Sequence, residues 1–141
     1  MLINKTDIRV RYKDTDAMGI VYYANYLVWF EVGRTEWIRS LGLSYRDLEK
    51  GGLFLPVIKA SCDYKTPAHY DDELTVITWL ESLRPVRLTF SYEIRCAGQL
   101  IAHGSTEHAF VNEEGRPVVL RKKNPFLWRK LSRALENDPA G

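Results

Sequence analysis

A long helix with one aromatic face is the feature that most restricts how this chain can fold. The spacing of its apolar residues predicts a helix from about residue 25 to residue 41, which Gly42 ends. A helix with such a face must bury it against another layer of structure. A glycine within the face indicates that this layer comes close to the helix. The face consists of Tyr26, Trp29, Phe30, Gly33, Trp37 and Leu41.

Alternating and β-branched segments predict the layer that covers this helix. Strands are expected over residues 6–12, 57–65, 73–82, 86–95 and 100–111. The connections between the last four are too short for crossover helices, so consecutive strands are expected to pair antiparallel. Further helices are expected over residues 44–52 and 126–135. The fold class is therefore α+β, with about five antiparallel strands around a long helix, and several folds of this class remain open.

The composition is that of a globular protein. Its 141 residues, 45% of them hydrophobic, predict a single domain over residues 1–141, in which 136–141 form a frayed tail. The formal net charge of +2 is too small to indicate a nucleic-acid partner. Cys62 and Cys96 lack metal-ligand spacing and no signal peptide precedes them, which favours a cytoplasmic location. No apolar run approaches the roughly 20 residues that span a bilayer, so no integral membrane association is expected.

Two carboxylates precede the long helix. Asp14 and Asp16 lie in a loop that contains Gly19, between the first strand and the helix. The first N–H groups of a helix lack internal acceptors and carry partial positive charge, so they can polarise a carbonyl group. A carboxylate held nearby could attack that carbonyl or deprotonate a water molecule, as acyl transfer requires. The same spacing is common in ordinary turns, and the loop alone does not separate the two interpretations.

Two other uses of an Asp-x-Asp pair fit poorly. An EF-hand calcium loop that begins at Asp14 needs oxygen ligands where the chain has Met18 and Asn25. A phosphatase that forms an aspartyl phosphate carries such a pair after a continuous apolar strand, whereas the segment before Asp14 alternates.

The remaining polar candidates are interpreted as structural. His103 and His108 lie an odd number of residues apart in one predicted strand, so they face opposite sides and no shared metal site is expected. His69 lies in a turn and is expected at the surface. Glu31 and Arg34 are interpreted as a solvated i,i+3 ion pair on the helix.

The acid loop and the helix together carry a recognisable motif. It reads YKDTDAMGIVYYANY over residues 12–26, followed by Glu31-x-x-Arg34. This pattern resembles the opening motif of the 4-hydroxybenzoyl-CoA thioesterase family, and within it the YbgC-like branch of acyl-CoA thioesterases. The likeness in layout extends over residues 7–123. It implies the hot-dog fold, in which a sheet wraps around a long helix, and hydrolysis of an acyl-CoA without a metal or a bound cofactor.

The resemblance also implies roles for particular residues. Asp16 matches the family's catalytic carboxylate, which acts as nucleophile or general base, and the backbone N–H of Tyr23 matches the group that polarises the thioester carbonyl. Gly19 would let the loop approach the substrate, and Asp14 is assigned to holding the loop. Many YbgC-like members have His where this chain has Tyr23, so any contribution of that imidazole is absent or altered. The side chains expected near the substrate are Val21, Tyr22, Tyr26, Phe54 and Tyr64.

Partners follow from the same resemblance. It implies a homodimer with a continuous sheet and active sites at the subunit boundary, often paired into a tetramer. Coenzyme A carries phosphates, and Arg84 and Arg87 flank Pro85 at an expected hairpin tip, with more cations at residues 121–123. A solvated basic surface is an equally good interpretation of Arg84 and Arg87, and the favoured interpretation of the cations at residues 121–123.

Two alternatives to hydrolysis of acyl-CoA stay open. The same fold could bind acyl-CoA or acyl carrier protein without catalysis, and acyl carrier protein could replace CoA as the natural thiol. A hot-dog lyase that acts on enoyl thioesters is the other alternative, but the Asp or His motif of such enzymes is not found here.

Overall fold

The computed structural model describes residues 1–136. Its α-helices are α1 (Asn25–Ser40), α2 (Tyr45–Lys50), α3 (Leu120–Lys123) and α4 (Pro125–Glu136). Because Glu136 belongs to α4, the predicted frayed tail does not include it, and residues 137–141 lie outside the described part of the chain. The strands are β1 (Ile3–Arg9), β2 (Val57–Tyr64), β3 (Glu73–Leu83), β4 (Arg87–Cys96) and β5 (Gln99–Ala109).

The strands form one antiparallel sheet in the order β1-β3-β4-β5-β2. α1 packs against β1, β2, β3 and β4 on one face of this sheet. The predicted α+β class and the hot-dog arrangement of a sheet wrapped around a long helix are confirmed. β1 and β2 are the two edges of the sheet, so β2 presents one side of its backbone to solvent.

The first strand differs from its prediction at both ends. It begins at Ile3, opposite Trp79, because pairing with β3 extends the strand over residues that do not alternate. It ends early because the Asp14 carboxylate accepts the Arg11 N–H at 2.8 Å. That bond folds Tyr12–Asp14 into a 3-10 turn. The limits of β1 are therefore set by a neighbouring strand and a side-chain contact.

The aromatic face of α1 is buried, as its spacing predicts. Phe30 stacks on Tyr92 with the ring centroids 4.3 Å apart and 7° between the ring planes. Trp37 is fully buried. Gly33 allows this close approach, because a Cβ at that position would lie only 2.8 Å from Val76 Cγ1. Each large side chain buried here stabilises the fold by about 1.5–3 kcal/mol, which fixes α1 on the sheet.

α4 holds the far end of α1. It buries Leu127 and Leu131 in the core, and Lys130 Nζ donates to the Leu41 carbonyl at 2.9 Å, just past the end of α1. The Leu2 N–H donates to the Ala134 carbonyl at 3.0 Å, which ties α4 to β1 as well. Within residues 1–136, none of these helices combines the length and the apolar character needed to cross a membrane.

Candidate active site

Asp14 ties the acid loop to the start of α1. The residue is 8% exposed, and Oδ2 of its carboxylate accepts the Arg11 N–H at 2.8 Å. Its carbonyl oxygen accepts two more hydrogen bonds, from the Tyr22 N–H and from Asn25 Nδ2, each at 2.8 Å. These contacts hold the loop from both sides. Because the carboxylate is buried and engaged in this way, Asp14 is poorly placed to attack a substrate.

Asp16 turns the tip of the same loop and keeps one carboxylate oxygen free. Its Oδ1 accepts the Met18 N–H at 2.8 Å, and its own N–H donates to the Ile20 carbonyl at 2.9 Å. Gly19 donates to the Asp16 carbonyl at 3.0 Å and has a φ of 78°, a conformation that favours glycine. Within residues 1–136, Oδ2 of Asp16 has no hydrogen-bond partner. One oxygen therefore positions the side chain and the other can act on a bound group.

The entrance of α1 is left without a side-chain cap. Ala24 occupies the capping position and offers no acceptor, and the first turn contains no acidic residue. The N–H groups of Tyr23 and Ala24 have no acceptor within residues 1–136. Unsatisfied donors at a helix start favour an oxygen that carries negative charge. The backbone N–H of Tyr23 is thus a free donor at the end of the acid loop.

Tyrosine side chains surround this entrance. The Tyr64 hydroxyl, on β2, donates to the Tyr23 carbonyl at 3.2 Å, and its ring meets the Tyr26 ring edge-on at 5.3 Å. The Tyr22 ring lies 4.8 Å from that of Tyr23, and both rings are largely exposed. Burial raises the pKa of Tyr26 to about 12, so this phenol remains neutral at physiological pH. Tyr64 therefore fixes the peptide that leads from Tyr23 into the helix.

A cavity of about 290 Å³ adjoins the tyrosines. It brings together four of the predicted site residues, Val21, Tyr23, Tyr26 and Tyr64. The bridge between Thr15 and Val21 joins it to the acid loop. Asp16 and Gly19 belong to that loop rather than to the cavity wall, and Tyr22 lies outside it. The wall is formed by Ile20, Val21, Tyr23, Tyr26, Tyr64, Lys65, Thr66 and Pro67.

The predicted phosphate-binding arginines lie at a separate place. Arg84 and Arg87 close the β3–β4 hairpin, where the Arg84 N–H donates to the Arg87 carbonyl at 2.8 Å. They line a polar cavity of about 500 Å³ that shares no residue with the tyrosine cavity. Arg87 Nη1 is already paired with Glu107 at 2.8 Å, whereas Arg84 makes no salt bridge within residues 1–136. The Leu120 N–H donates to the Pro85 carbonyl at 2.9 Å, so the start of α3 lies beside this hairpin. None of the cations at 121–123 lines the cavity, and the Lys123 ammonium lies near Gly52.

The predicted ion pair between Glu31 and Arg34 is wrong. No contact within 4.0 Å joins them; both line a cavity of about 690 Å³ between α1, α2 and the turn at residues 111–115. Arg34 lies instead near two buried phenols, those of Tyr45 and Tyr92. Burial raises the pKa of Tyr45 to about 12, and the nearby charge of Arg34 opposes that rise. The Tyr45 hydroxyl has no hydrogen-bond partner within residues 1–136. Phe54 lines this cavity and not the tyrosine cavity.

The histidines are far from equivalent. His108 is fully buried, with Nδ1 2.9 Å from the Leu55 carbonyl and Nε2 2.8 Å from Thr106 Oγ1. Burial lowers the pKa of His108 to about 4, so it is neutral at physiological pH. His103 lies on the other face of β5, near Asp63, and His69 is exposed in its turn, as predicted. Within residues 1–136, no three metal-ligating side chains come together.

Comparison with known proteins places this geometry in a family. Residues 10–133 match the model of the thioesterase-like superfamily. YneP of Bacillus subtilis (strain 168) is 43% identical over 127 residues, which cover 89% of this chain and 92% of YneP. The acyl-CoA thioesterase YbgC of Haemophilus influenzae is 32% identical over 126 residues, which cover 88% of this chain and 93% of that protein.

A solved structure gives the same result. The DHNA-CoA thioesterase of Staphylococcus aureus superposes with a TM-score of 0.90 at 36% sequence identity, over 94% of this chain and 91% of that one. The family match covers the acid loop, the helix entrance and strands β2 to β5. The chain therefore belongs to the thioesterase-like superfamily, as a YbgC-like member with the hot-dog fold.

Proposed function

We propose that this protein hydrolyses the thioester of an acyl-CoA to a free acid and CoA, with Asp16 as nucleophile or general base. One observation carries the proposal: a carboxylate with a free oxygen and a backbone N–H with no acceptor stand on one loop that Asp14 holds rigid. The names of YbgC from Haemophilus influenzae and of the Staphylococcus aureus structure support thioester hydrolysis as the reaction.

The reaction needs a polarised carbonyl and an activated nucleophile. The thioester oxygen accepts the Tyr23 N–H, and the positive end of α1 stabilises the negative charge that develops on it. Asp16 Oδ2 then attacks the carbonyl carbon, or removes a proton from the water that attacks it. The C–S bond breaks and CoA leaves as a thiolate, which takes up a proton. Where Asp16 is the nucleophile, the acyl group is left on it as a mixed anhydride, which water hydrolyses to the free acid and the carboxylate; where water attacks, the free acid forms directly. These steps use groups of the chain and water, so neither a metal nor a bound cofactor is required.

Tyr64 acts as a positioning residue in this scheme. Its hydroxyl donates to the Tyr23 carbonyl, and its ring packs against Tyr26, which anchors the helix entrance to β2. The Tyr23 N–H must point at the thioester oxygen while charge develops, and a misaligned donor contributes less. Holding the peptide after Tyr23 limits how far that N–H can turn.

A homodimer would complete the site. β2 is an unpaired edge with Val57 45% and Ile58 50% exposed, and Leu27, Val28 and Val32 are exposed on α1. Such an apolar edge favours pairing with another strand. Antiparallel pairing of two β2 strands sets the start of one beside the end of the other. The cavity that Glu31 and Arg34 line in one subunit would then adjoin the cavity that Tyr23, Tyr26 and Tyr64 line in its partner, and would extend the acyl site. Two such dimers could pair again into a tetramer.

The thiol half of the substrate is assigned to the basic hairpin. Arg84 makes no salt bridge within residues 1–136 and lines a polar cavity at this hairpin, so its guanidinium can bind a CoA phosphate there. Acyl carrier protein, with the same phosphopantetheine arm and an acidic surface, is a possible second source of the thiol. Cys62 and Cys96 are free thiols, which supports the proposed cytoplasmic location.

Asp16→Asn is expected to lower kcat by at least about 100-fold, because the amide can neither attack nor remove a proton. Its Oδ1 can still accept the Met18 N–H, so the melting temperature should stay unchanged. Release of free CoA thiol measures kcat, and Asp47→Asn, an exposed change on α2, serves as the matched control. Activity within a few-fold of wild type would remove Asp16 from this role. Binding of acyl-CoA by the wild type without thiol release would favour a binding module instead.

Tyr64→Phe is expected to lower kcat by about 2- to 12-fold with little change in KM, as the loss of one neutral hydrogen bond predicts. The ring that packs on Tyr26 is kept, so the free energy of unfolding should change little. Steady-state kinetics with a thiol reagent separates the two constants. Tyr70→Phe, at another exposed tyrosine, is the control and should leave both constants unchanged. An equal effect of the two changes would contradict the positioning role.

Arg84→Gln is expected to raise KM for an acyl-CoA by about tenfold, the contribution of a hydrogen bond to a charged group. KM for the same acyl thioester of pantetheine, which lacks the nucleotide phosphates, should not change. Arg39→Gln removes an exposed cation from α1 and is the matched control. A rise in KM that is equal for both substrates would show that Arg84 does not bind phosphate.

The purified protein is expected to have about two or four times the 16.4 kDa mass of one chain. Ile58→Asp places a charge on the β2 edge and should lower that mass and the activity together. Ile3→Asp, an exposed change on the β1 edge, should leave the dimer intact. Light scattering measures the mass, and an active monomer would contradict the shared site.

A further inference from the structure

Positive charge is concentrated near the end of the described chain. Six of the 20 Lys and Arg residues lie between Arg121 and Arg133, and no Asp or Glu lies among them. The formal charge of the whole chain is only +2, so the remainder of the chain is net negative. A separation of charge of this kind indicates a surface that meets an anionic partner.

α4 displays part of this charge on a single face. Phe126, Arg129, Lys130 and Arg133 recur at i, i+3, i+4 and i+7, so they lie on one side of the helix. We call these four residues the basic face. The opposite side, with Leu127 and Leu131, is fully buried in the core. The fold therefore fixes the basic face toward solvent.

Two of the three cations of the basic face, Arg129 and Arg133, are exposed, whereas Lys130 Nζ donates to the Leu41 carbonyl at 2.9 Å. No carboxylate of residues 1–136 lies within 4.0 Å of these three cations. Arg129 and Arg133 are an i,i+4 pair of like charge, which destabilises a helix slightly. Phe126 is 53% exposed at the end of the face, with Lys130 Nζ 5.2 Å from its ring centroid. Stability of the fold accounts for Lys130 but not for the exposed Phe126, Arg129 and Arg133.

We propose that the basic face docks on an anionic phospholipid surface. Cations on a helix face bind anionic headgroups, and an exposed aromatic side chain among them enters the boundary between headgroups and acyl chains. Phe126 distinguishes this partner from a polyanion that binds through phosphate contacts alone, because such binding gains little from a lone aromatic ring. The contact is peripheral, since the apolar side of α4 belongs to the core. It goes beyond hydrolysis, and it would bring the enzyme to amphiphilic acyl thioesters that collect at membranes.

Vesicle flotation of the full chain tests this surface. The protein is expected to float with phosphatidylcholine vesicles that contain about 30% phosphatidylglycerol and to stay behind with pure phosphatidylcholine. Raising the salt from about 50 to about 500 mM should weaken the binding at least tenfold, because exposed charges are then screened. Failure to bind the anionic vesicles would overturn the proposal.

Two variants of equal net charge separate the basic face from charge in general. Arg129→Glu combined with Arg133→Glu should weaken vesicle binding at least tenfold. Lys5→Glu combined with Lys50→Glu reverses two exposed cations elsewhere and should change it less than about threefold. An equal loss in both variants would overturn the assignment of the face.

Phe126→Ala separates a membrane from other polyanions. It should weaken vesicle binding several-fold and leave binding to heparin unchanged. An equal effect on both, or no effect on vesicle binding, would overturn the membrane assignment.

Hydrolysis of a short, water-soluble acyl-CoA without vesicles should be normal in the Arg129/Arg133 variant. A wild-type protein that binds vesicles but does not hydrolyse acyl-CoA would contradict the proposed function and not the proposed membrane surface.

Discussion

The close approach of α1 to the sheet is the contact on which the rest of this structure depends. Gly33 leaves no room for a side chain between the helix and Val76, and the aromatic residues on either side of it stack into the sheet. Because these side chains are large and fully buried, the helix can neither slide nor rotate without opening a cavity. The position of the helix entrance is therefore set by the core, one turn away from the residues that would do chemistry.

The N-terminal end of α1 is the part of the helix that is available for chemistry, because two backbone N–H groups at its entrance have no acceptor within residues 1–136. α2 begins with Ser44, whose hydroxyl accepts the Asp47 N–H, whereas α1 begins with no side-chain cap. The loop before it is nonetheless rigid, because Asp14 bonds Arg11 and the first residues of the helix. A helix start that is held firmly but left with free donors is suited to an incoming oxygen, and its cost in stability is offset by the buried face behind it.

Sequence reasoning succeeded where a pattern has one physical meaning. The period of the aromatic residues, the glycine within them and the short strand connections gave the helix, its close contact and the antiparallel sheet. It failed where a side chain has more than one potential contact partner in the folded chain. Glu31 and Arg34 have the spacing of an ion pair, but the fold places Arg34 near the buried phenols of Tyr45 and Tyr92 and leaves it unpaired with Glu31. The ion pair of Arg87 likewise depends on Glu107. The β4–β5 register places Glu107 opposite Thr89, which is two residues from Arg87 on β4.

The sequence by itself determined the elements and the acid loop before a helix, because local geometry and backbone bonding follow from nearby residues, whereas the catalytic role of Asp16 rests on the family resemblance. Only the tertiary structure decided which tyrosine holds the helix entrance and that the start of α3 lies beside the β3–β4 hairpin. Those outcomes depend on contacts between residues far apart in the chain, such as Tyr64 with Tyr23 and Leu120 with Pro85. Strand register and helix packing create such contacts, and neither leaves a mark in the order of residues near the site.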